Sequence, residues 1–202
     1  MMTEAEKRIA CLGDSNTYGY DPASRFGSRY PPEIRWTGAL KARGWLVFNR
    51  GMNGCTVPVC SQFPTITEMI GSLGPLDAVT VMLGTNDLLQ GGTARETAAR
   101  MAQFLSAVRE SMGKATLILI APPPVTFGDW VRDQAVIRES EKLAAYYREI
   151  ADDRSAVFAD AGQWGAALSF DGVHFTPEGH GAFFRGLNQL LEALFPTPPC
   201  LS

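Results

Sequence analysis

The chain has 202 residues, 18 Lys plus Arg against 21 Asp plus Glu, and 46% hydrophobic residues. That length fits one domain with a full core, and a net charge of −3 argues against a broad phosphate-binding face. Four cysteines at positions 11, 55, 60 and 200 form neither a disulfide framework nor a C-x-x-C metal pattern.

Arg8 to Leu12 is a short apolar run ending in Gly13 and reads as the first strand. Trp36 to Arg43 is a helix candidate, and Leu46 to Phe48 a second strand before Asn49-Arg50-Gly51. Thr65 to Leu73 is a further helix candidate, bracketed by Pro64 and Gly74. Ala78 to Leu83 is the third strand. Thr93-x-x-Glu96 has capping-box spacing and precedes a helical stripe of Ala98, Met101, Leu105, Val108 and Met112. Ala115 to Ala121 is the fourth strand, closed by three prolines. Val131 to Ile150 reads as a helix and Ala156 to Ala159 as the fifth strand. Thr176-Pro177 is an N-cap followed by proline at the first helical position, with Phe184, Leu187, Leu191 and Leu194 on one face beyond it.

The apolar runs are continuous, as in strands buried on both faces. Strand and helix alternating about five times predicts an α/β fold, a parallel sheet with helices on both sides. In such sheets ligands bind beyond the carboxyl ends of the strands. That edge receives Gly13-Asp14-Ser15-Asn16, the NRGMNG segment, Leu83-Gly84-Thr85-Asn86-Asp87, the triple proline and the Asp171-Gly172-Val173-His174 segment.

Each of these segments also has an ordinary reading. Asp, Ser and Asn cap helices, Asn86 suits an Asx turn, Gly54 suits a turn, and D-x-x-H arises by chance. Together they supply a full chemical set. Ser15 is a nucleophile, and His174 is a base whose Nδ1–H can point to Asp171. The Asn86 amide and the Gly54 N–H are donors for an oxyanion. His180, at the start of the last helix, reads as packed or capping. Trp130, after the prolines, is the tryptophan expected near a pocket.

These four blocks, in this order from about residue 9 to 180, resemble the SGNH hydrolases, also called the GDSL esterase/lipase family. Gly13-Asp14-Ser15 matches the first block, Gly54 the second (Gly51 is the other alignment), Gly84-x-Asn86-Asp87 the third, and Asp171-x-x-His174 the fourth. Asn16 departs from the family's leucine. The resemblance implies a three-layer α/β/α sandwich, flavodoxin-like, with a five-stranded parallel sheet over residues 1–202. It implies Ser15, Asp171 and His174 as catalytic residues and Ser15, Gly54 and Asn86 as the oxyanion hole, with no metal or organic cofactor. Asp14 and Asp87 are expected to hold loops. Tyr20 to Arg35, with Arg25, Arg29, Tyr30 and Arg35, is similar to the loop of the bacterial arylesterase and carbohydrate-acetylesterase branch, which suggests a homo-oligomer.

The expected activity is hydrolysis of short-chain acyl esters, acetyl first, of a soluble small molecule or carbohydrate. Two other readings use the same edge: Mg²⁺ held by Asp14, Asp87, Asp171 and His174 for phosphoryl chemistry, or a non-catalytic ligand-binding module. The N-terminal stretch lacks the apolar segment of a secretory signal, and Ala115 to Ala121 is too short to cross a bilayer. A cytoplasmic protein without membrane or nucleic-acid partners is expected. Tyr18, Tyr20, Phe26, Phe127 and Trp130 are expected to close a small acyl pocket.

Overall fold

The computed structural model describes residues 6–24, 26 and 28–196; Arg25 and Cys200 lie outside the described residues. Five strands, β1 (Arg8–Gly13), β2 (Leu46–Gly51), β3 (Ala78–Met82), β4 (Thr116–Ala121) and β5 (Val157–Asp160), form one sheet in the order β2-β1-β3-β4-β5. Every pairing is parallel. This is the flavodoxin-like order, and it reverses direction between β1 and β3, the usual place for a ligand.

The continuous apolar strands divide by period two. Ala10, Leu12, Val79, Val81, Leu117 and Leu119 face one core, together with α3 (Phe63–Ser72), α5 (Ala94–Ser111) and α6 (Gln134–Asp153). Ile9, Cys11, Ala78, Met82, Ile118 and Ile120 face the other, against α2 (Trp36–Ala42) and α7 (Pro177–Leu194). The sheet is thus a middle layer between two helical layers, as the alternating pattern implies.

The capping signals mark real helix starts. Thr93 Oγ1 accepts from the Glu96 N–H at 3.2 Å, and Glu96 Oε2 accepts from the Thr93 N–H at 3.0 Å. Thr176 caps α7 by accepting from the Gly179 N–H, with Pro177 at the first helical position. The stripe on α5 is wider than read from the sequence, because Thr97 and Phe104 are buried with it.

One helix starts later than its apolar pattern suggests. Val131 belongs to the loop before α6, where it is buried in a small cluster with Val125 and Val173. Asp133 then caps the helix, accepting from the Ala135 N–H at 2.8 Å. An apolar residue satisfied by loop packing therefore looked helical. Two short helices open directly at the strand ends: α1 (Ser15–Tyr18) after β1 and α4 (Thr85–Leu89) after β3.

Close approach at the first of these ends requires glycine. A Cβ on Gly13 would lie 2.1 Å from Thr17 Oγ1 and 2.9 Å from the Met82 carbonyl oxygen. The strand end is therefore clamped between α1 and β3, which fixes where Ser15 emerges.

Candidate active site

Ser15 is the first residue of α1. Asp14 caps that helix from an extended conformation, its Oδ1 accepting from the Asn16 N–H at 2.9 Å. The turn presents the Ser15 side chain at the carboxyl edge of β1. His174 arrives from the other end of the chain, on the turn between β5 and α7. The two meet: His174 Nε2 lies 2.9 Å from Ser15 Oγ.

Asp171 completes the line. Its Oδ2 lies 2.6 Å from His174 Nδ1, while its Oδ1 accepts from the N–H groups of Val173 at 2.9 Å and His174 at 3.0 Å. The turn that allows this contains Gly172 at φ 80°, where a Cβ would strike the Thr126 carbonyl oxygen at 2.1 Å. Burial alone would push the Asp171 carboxyl up. The hydrogen bonds from the His174 ring and the two backbone N–H groups outweigh it and hold the acid below its ordinary range. Asp171 thus stays ionised facing Nδ1, which keeps the Nδ1–H tautomer and leaves Nε2 as the acceptor for a hydroxyl proton.

The loop before α6 grips the same turn. The Thr126 N–H donates to the Gly172 carbonyl at 3.0 Å and the Trp130 N–H to the Asp171 carbonyl at 3.1 Å. Trp130 stands edge-on to the His174 ring at 4.8 Å between centroids, and Tyr20 covers another side of it at 4.6 Å. Trp130, expected near a pocket, stands against His174, the expected base. The expected closure by bulky aromatics is only half realised. Phe26 and Phe127 are 93% and 69% exposed, and Tyr18 lies under the Arg29 guanidinium. Phe127 projects outward from a loop that buries Val125 and Val131 instead, and Tyr18 is taken up by Arg29.

The third strand brings Asn86 on α4. Its Nδ2 donates to the Cys55 carbonyl at 3.0 Å, which ties it to the loop carrying Gly54 and leaves one amide hydrogen uncommitted. Gly54 has φ 72°, and a Cβ there would meet nothing within 4 Å, so open space lies before it. Gly51 differs. Its N–H already donates to Asn49 Oδ1 at 2.9 Å, and its backbone is pressed against α1.

The remaining carboxylates are engaged elsewhere. Asp87 accepts from the Val57 N–H at 2.9 Å and from Arg100 Nη2 at 2.6 Å, which anchors the Gly54 loop from behind. Asp14 is buried and its carboxyl is pushed up to about 6 by desolvation. Asp87 holds a loop, as expected, whereas Asp14 caps the helix that carries Ser15. Among the described residues no cluster of three His, Cys, Asp or Glu side chains is arranged to hold a metal ion. His180 is fully buried between Tyr30 and Phe175, each edge-on to it, so its packed reading is also correct.

Residues 11–182 match the GDSL-like Lipase/Acylhydrolase family. The chain belongs to this family of SGNH hydrolases. It is a carboxylic ester hydrolase with the family's α/β fold. No curated protein matches it. Among solved structures it is similar to Est24, a carbohydrate acetylesterase from Sinorhizobium meliloti, at 27% identity and TM-score 0.80 over 94% of this chain and 100% of that one. A proposed arylesterase from Agrobacterium tumefaciens strain C58 shares 31% identity, TM-score 0.80, over 94% of this chain and 100% of that one. The aryl esterase of M. smegmatis shares 25% identity, TM-score 0.82, over the same shares of the two chains.

Some parts of this GDSL hydrolase's site carried no usable sequence signal. Arg100, the partner of Asp87, is one of several charged residues on α5, and nothing in the sequence marks it as the one that turns inward to a buried carboxylate. Asn16 was visible only as a departure from the family's leucine, yet its side chain reaches residues 157 and 159 positions away. A bond across such a separation has no local pattern to announce it.

Proposed function

We propose that this hydrolase cleaves short-chain acyl esters, acetyl first, of a soluble small molecule or carbohydrate through an acyl-enzyme on Ser15. The observation that carries the reading is the continuous Ser15–His174–Asp171 line, with 2.9 Å and 2.6 Å between its polar atoms. Ser15 Oγ attacks the acyl carbonyl carbon and its proton passes to His174 Nε2. The carbonyl oxygen becomes an oxyanion held by the N–H groups of Ser15 and Gly54 and the free Asn86 amide hydrogen. When the tetrahedral adduct collapses, the C–O bond to the alcohol breaks and His174 returns the proton to the leaving oxygen. Water then repeats the sequence on the acyl-enzyme, with His174 again as base.

Gly54, rather than Gly51, is the oxyanion glycine in this reading, since the Gly51 N–H is already committed to Asn49. The similarity to a carbohydrate acetylesterase and to aryl esterases supports a small acyl group on a cyclic alcohol. No helix of the described residues is long and apolar enough to cross a membrane; a dissolved substrate and a cytoplasmic location are part of this proposal. The half-exposed Trp130 beside His174 offers a flat face to a sugar or aryl leaving group, and exposed apolar residues such as Phe26 offer contacts to another copy in a homo-oligomer.

A series of p-nitrophenyl esters from acetyl to palmitoyl, kept below micelle formation, tests the acyl class. The expected kcat/KM peaks between acetyl and butyryl and falls beyond. A maximum at octanoyl or longer would move the assignment to long-chain lipids or thioesters.

A further inference from the structure

Asn16 follows the proposed nucleophile directly and is 4% exposed. Its side chain points at neither substrate space nor solvent. Asn16 Nδ2 donates to the Val173 carbonyl at 3.0 Å, and its Oδ1 accepts from the Phe175 N–H at 2.9 Å. These are the two residues on either side of His174. The amide therefore pairs with the backbone as a neighbouring strand would, straddling the residue that carries the imidazole. Its own carbonyl accepts from Trp36 Nε1 at 2.9 Å, and its N–H is held by Asp14. All four hydrogen-bonding groups of Asn16 that face the protein are thus engaged in fixed directions.

We propose that Asn16 is a positioning residue that holds the His174 imidazole in register with Ser15. This deepens the serine-esterase reading above and rests on it. The geometry forms a closed ring: Ser15 is bonded covalently to Asn16, Asn16 is bonded by its amide to residues 173 and 175, and His174 between them meets Ser15 Oγ. The two amide bonds fix the backbone on either side of His174 relative to Ser15, so the imidazole starts from a defined place in its approach to Oγ. On the opposite side the turn is gripped by the Thr126 and Trp130 N–H groups. Asn16 links it to the helix that bears Ser15, beside the contact between His174 and Ser15 itself.

Leucine, the family's residue at this place, has similar size but can make neither bond. It would leave a buried carbonyl and a buried N–H without partners. Here the register of base and nucleophile has an extra fastening. Its loss should act on the chemical step, because a displacement on the order of 1 Å costs about 10²-fold in rate when it falls on reacting groups.

The test measures kcat and KM for p-nitrophenyl acetate, and the rate of Ser15 labelling by a phosphonate, in Asn16→Leu and Asn16→Asp. Leucine removes both bonds; aspartate keeps the shape and the acceptor for Phe175 but lacks the donor for Val173. Leu191→Ala, in the core at the far end of α7, serves as a destabilised control. The expected result is a fall in kcat of roughly 10- to 100-fold for Asn16→Leu and a smaller fall for Asn16→Asp. KM changes little, labelling slows in parallel, and Leu191→Ala keeps its kcat while losing thermal stability. If Asn16→Leu does not fold, Asn16→Asp decides. Wild-type kcat and labelling in a folded variant overturn the proposal, as does a loss shared by Leu191→Ala. Should Ser15→Ala remain active in the same assay, the esterase reading itself fails, and that outcome is distinct from an inert Asn16.

Discussion

Two regions meet at the carboxyl edge of the sheet and are built on opposite principles. The inner one comprises Asp14, Ser15, Asn16, Asp171 and His174, none more than 5% exposed, joined by side-chain and backbone hydrogen bonds. The outer one comprises Met52, Phe127, Trp130 and Phe170, all at least 56% exposed. In the inner region the side chains of Asn16, Asp171 and His174 are held in fixed directions by hydrogen bonds, which keeps reorganisation during reaction small. In the outer region bulky apolar groups face solvent and can adjust to what binds. The difference separates rate from recognition. Changes inside should fall on kcat, and changes outside on KM and on preference among leaving groups.

The largest expected effect is from Ser15→Ala. Turnover should drop by up to about 10⁶-fold, the scale seen when a serine nucleophile is removed. Circular dichroism and melting temperature should stay close to wild type, because the lost atom leaves only a small gap. A folded alanine variant with measurable burst kinetics would break the inner region's claimed role.

Asn86→Ala comes next. The loss of one oxyanion donor predicts a kcat about 10²–10³-fold lower with KM nearly unchanged. Steady-state kinetics on p-nitrophenyl acetate check it. A raised KM at constant kcat would place Asn86 with the binding surface instead.

Phe127→Ala should have a small and different effect. The ring packs little in the free protein, so stability is unaffected. An effect of under about 1 kcal/mol on transition-state binding, less than roughly fivefold in kcat/KM, is typical of a rim contact. It should appear in KM for aryl acetates. A fall in kcat for every ester would show that the rim also shapes the reacting geometry.

The smallest effect concerns pH. Burial, with Arg35 nearby, pushes the His180 imidazole down to about 4. Between that value and its ordinary 6.5 the unfolded chain binds the extra proton. His180 therefore contributes stability that is present above pH 6.5 and lost as pH falls through 4. Asp14 works in the other direction: its carboxyl is raised to about 6, so its contribution is present below about 3.8 and lost as pH rises through 6. The two oppose each other over much of the same window. His180→Leu removes one of them, so its melting temperature should fall less than that of wild type on acidification from pH 6.5 to 4.5. A difference of a few degrees is the expected scale for a chain of this length. Parallel acid limbs would contradict the assignment of His180 as a buried neutral group.

Much of this was legible in the residues alone. Continuous apolar runs separated by capped helices led to the parallel sheet, and the four polar blocks led to the strand ends where Ser15, Asn86, Asp171 and His174 stand. What stayed hidden depended on tertiary contact. Val131 is apolar for a loop cluster, not for a helix, and no local pattern separates the two. The exposure of Phe127 follows from a loop that buries Val125 and Val131 instead, which spacing does not encode. Asn16 and Arg100 act on partners brought near only by folding. The sequence alone favours Gly54 over Gly51, and the Asn49 side chain, whose acceptor occupies the Gly51 N–H, supports that preference.

The central claim is that the buried Ser15–His174–Asp171 line performs covalent catalysis. The most direct measurement is intact-protein and peptide mass spectrometry after treatment with a serine-directed phosphonate. The account predicts one adduct per chain, on Ser15, formed as activity disappears and absent in a His174→Ala variant over the same time. An adduct on another serine, or full inactivation with Ser15 unmodified, would contradict it.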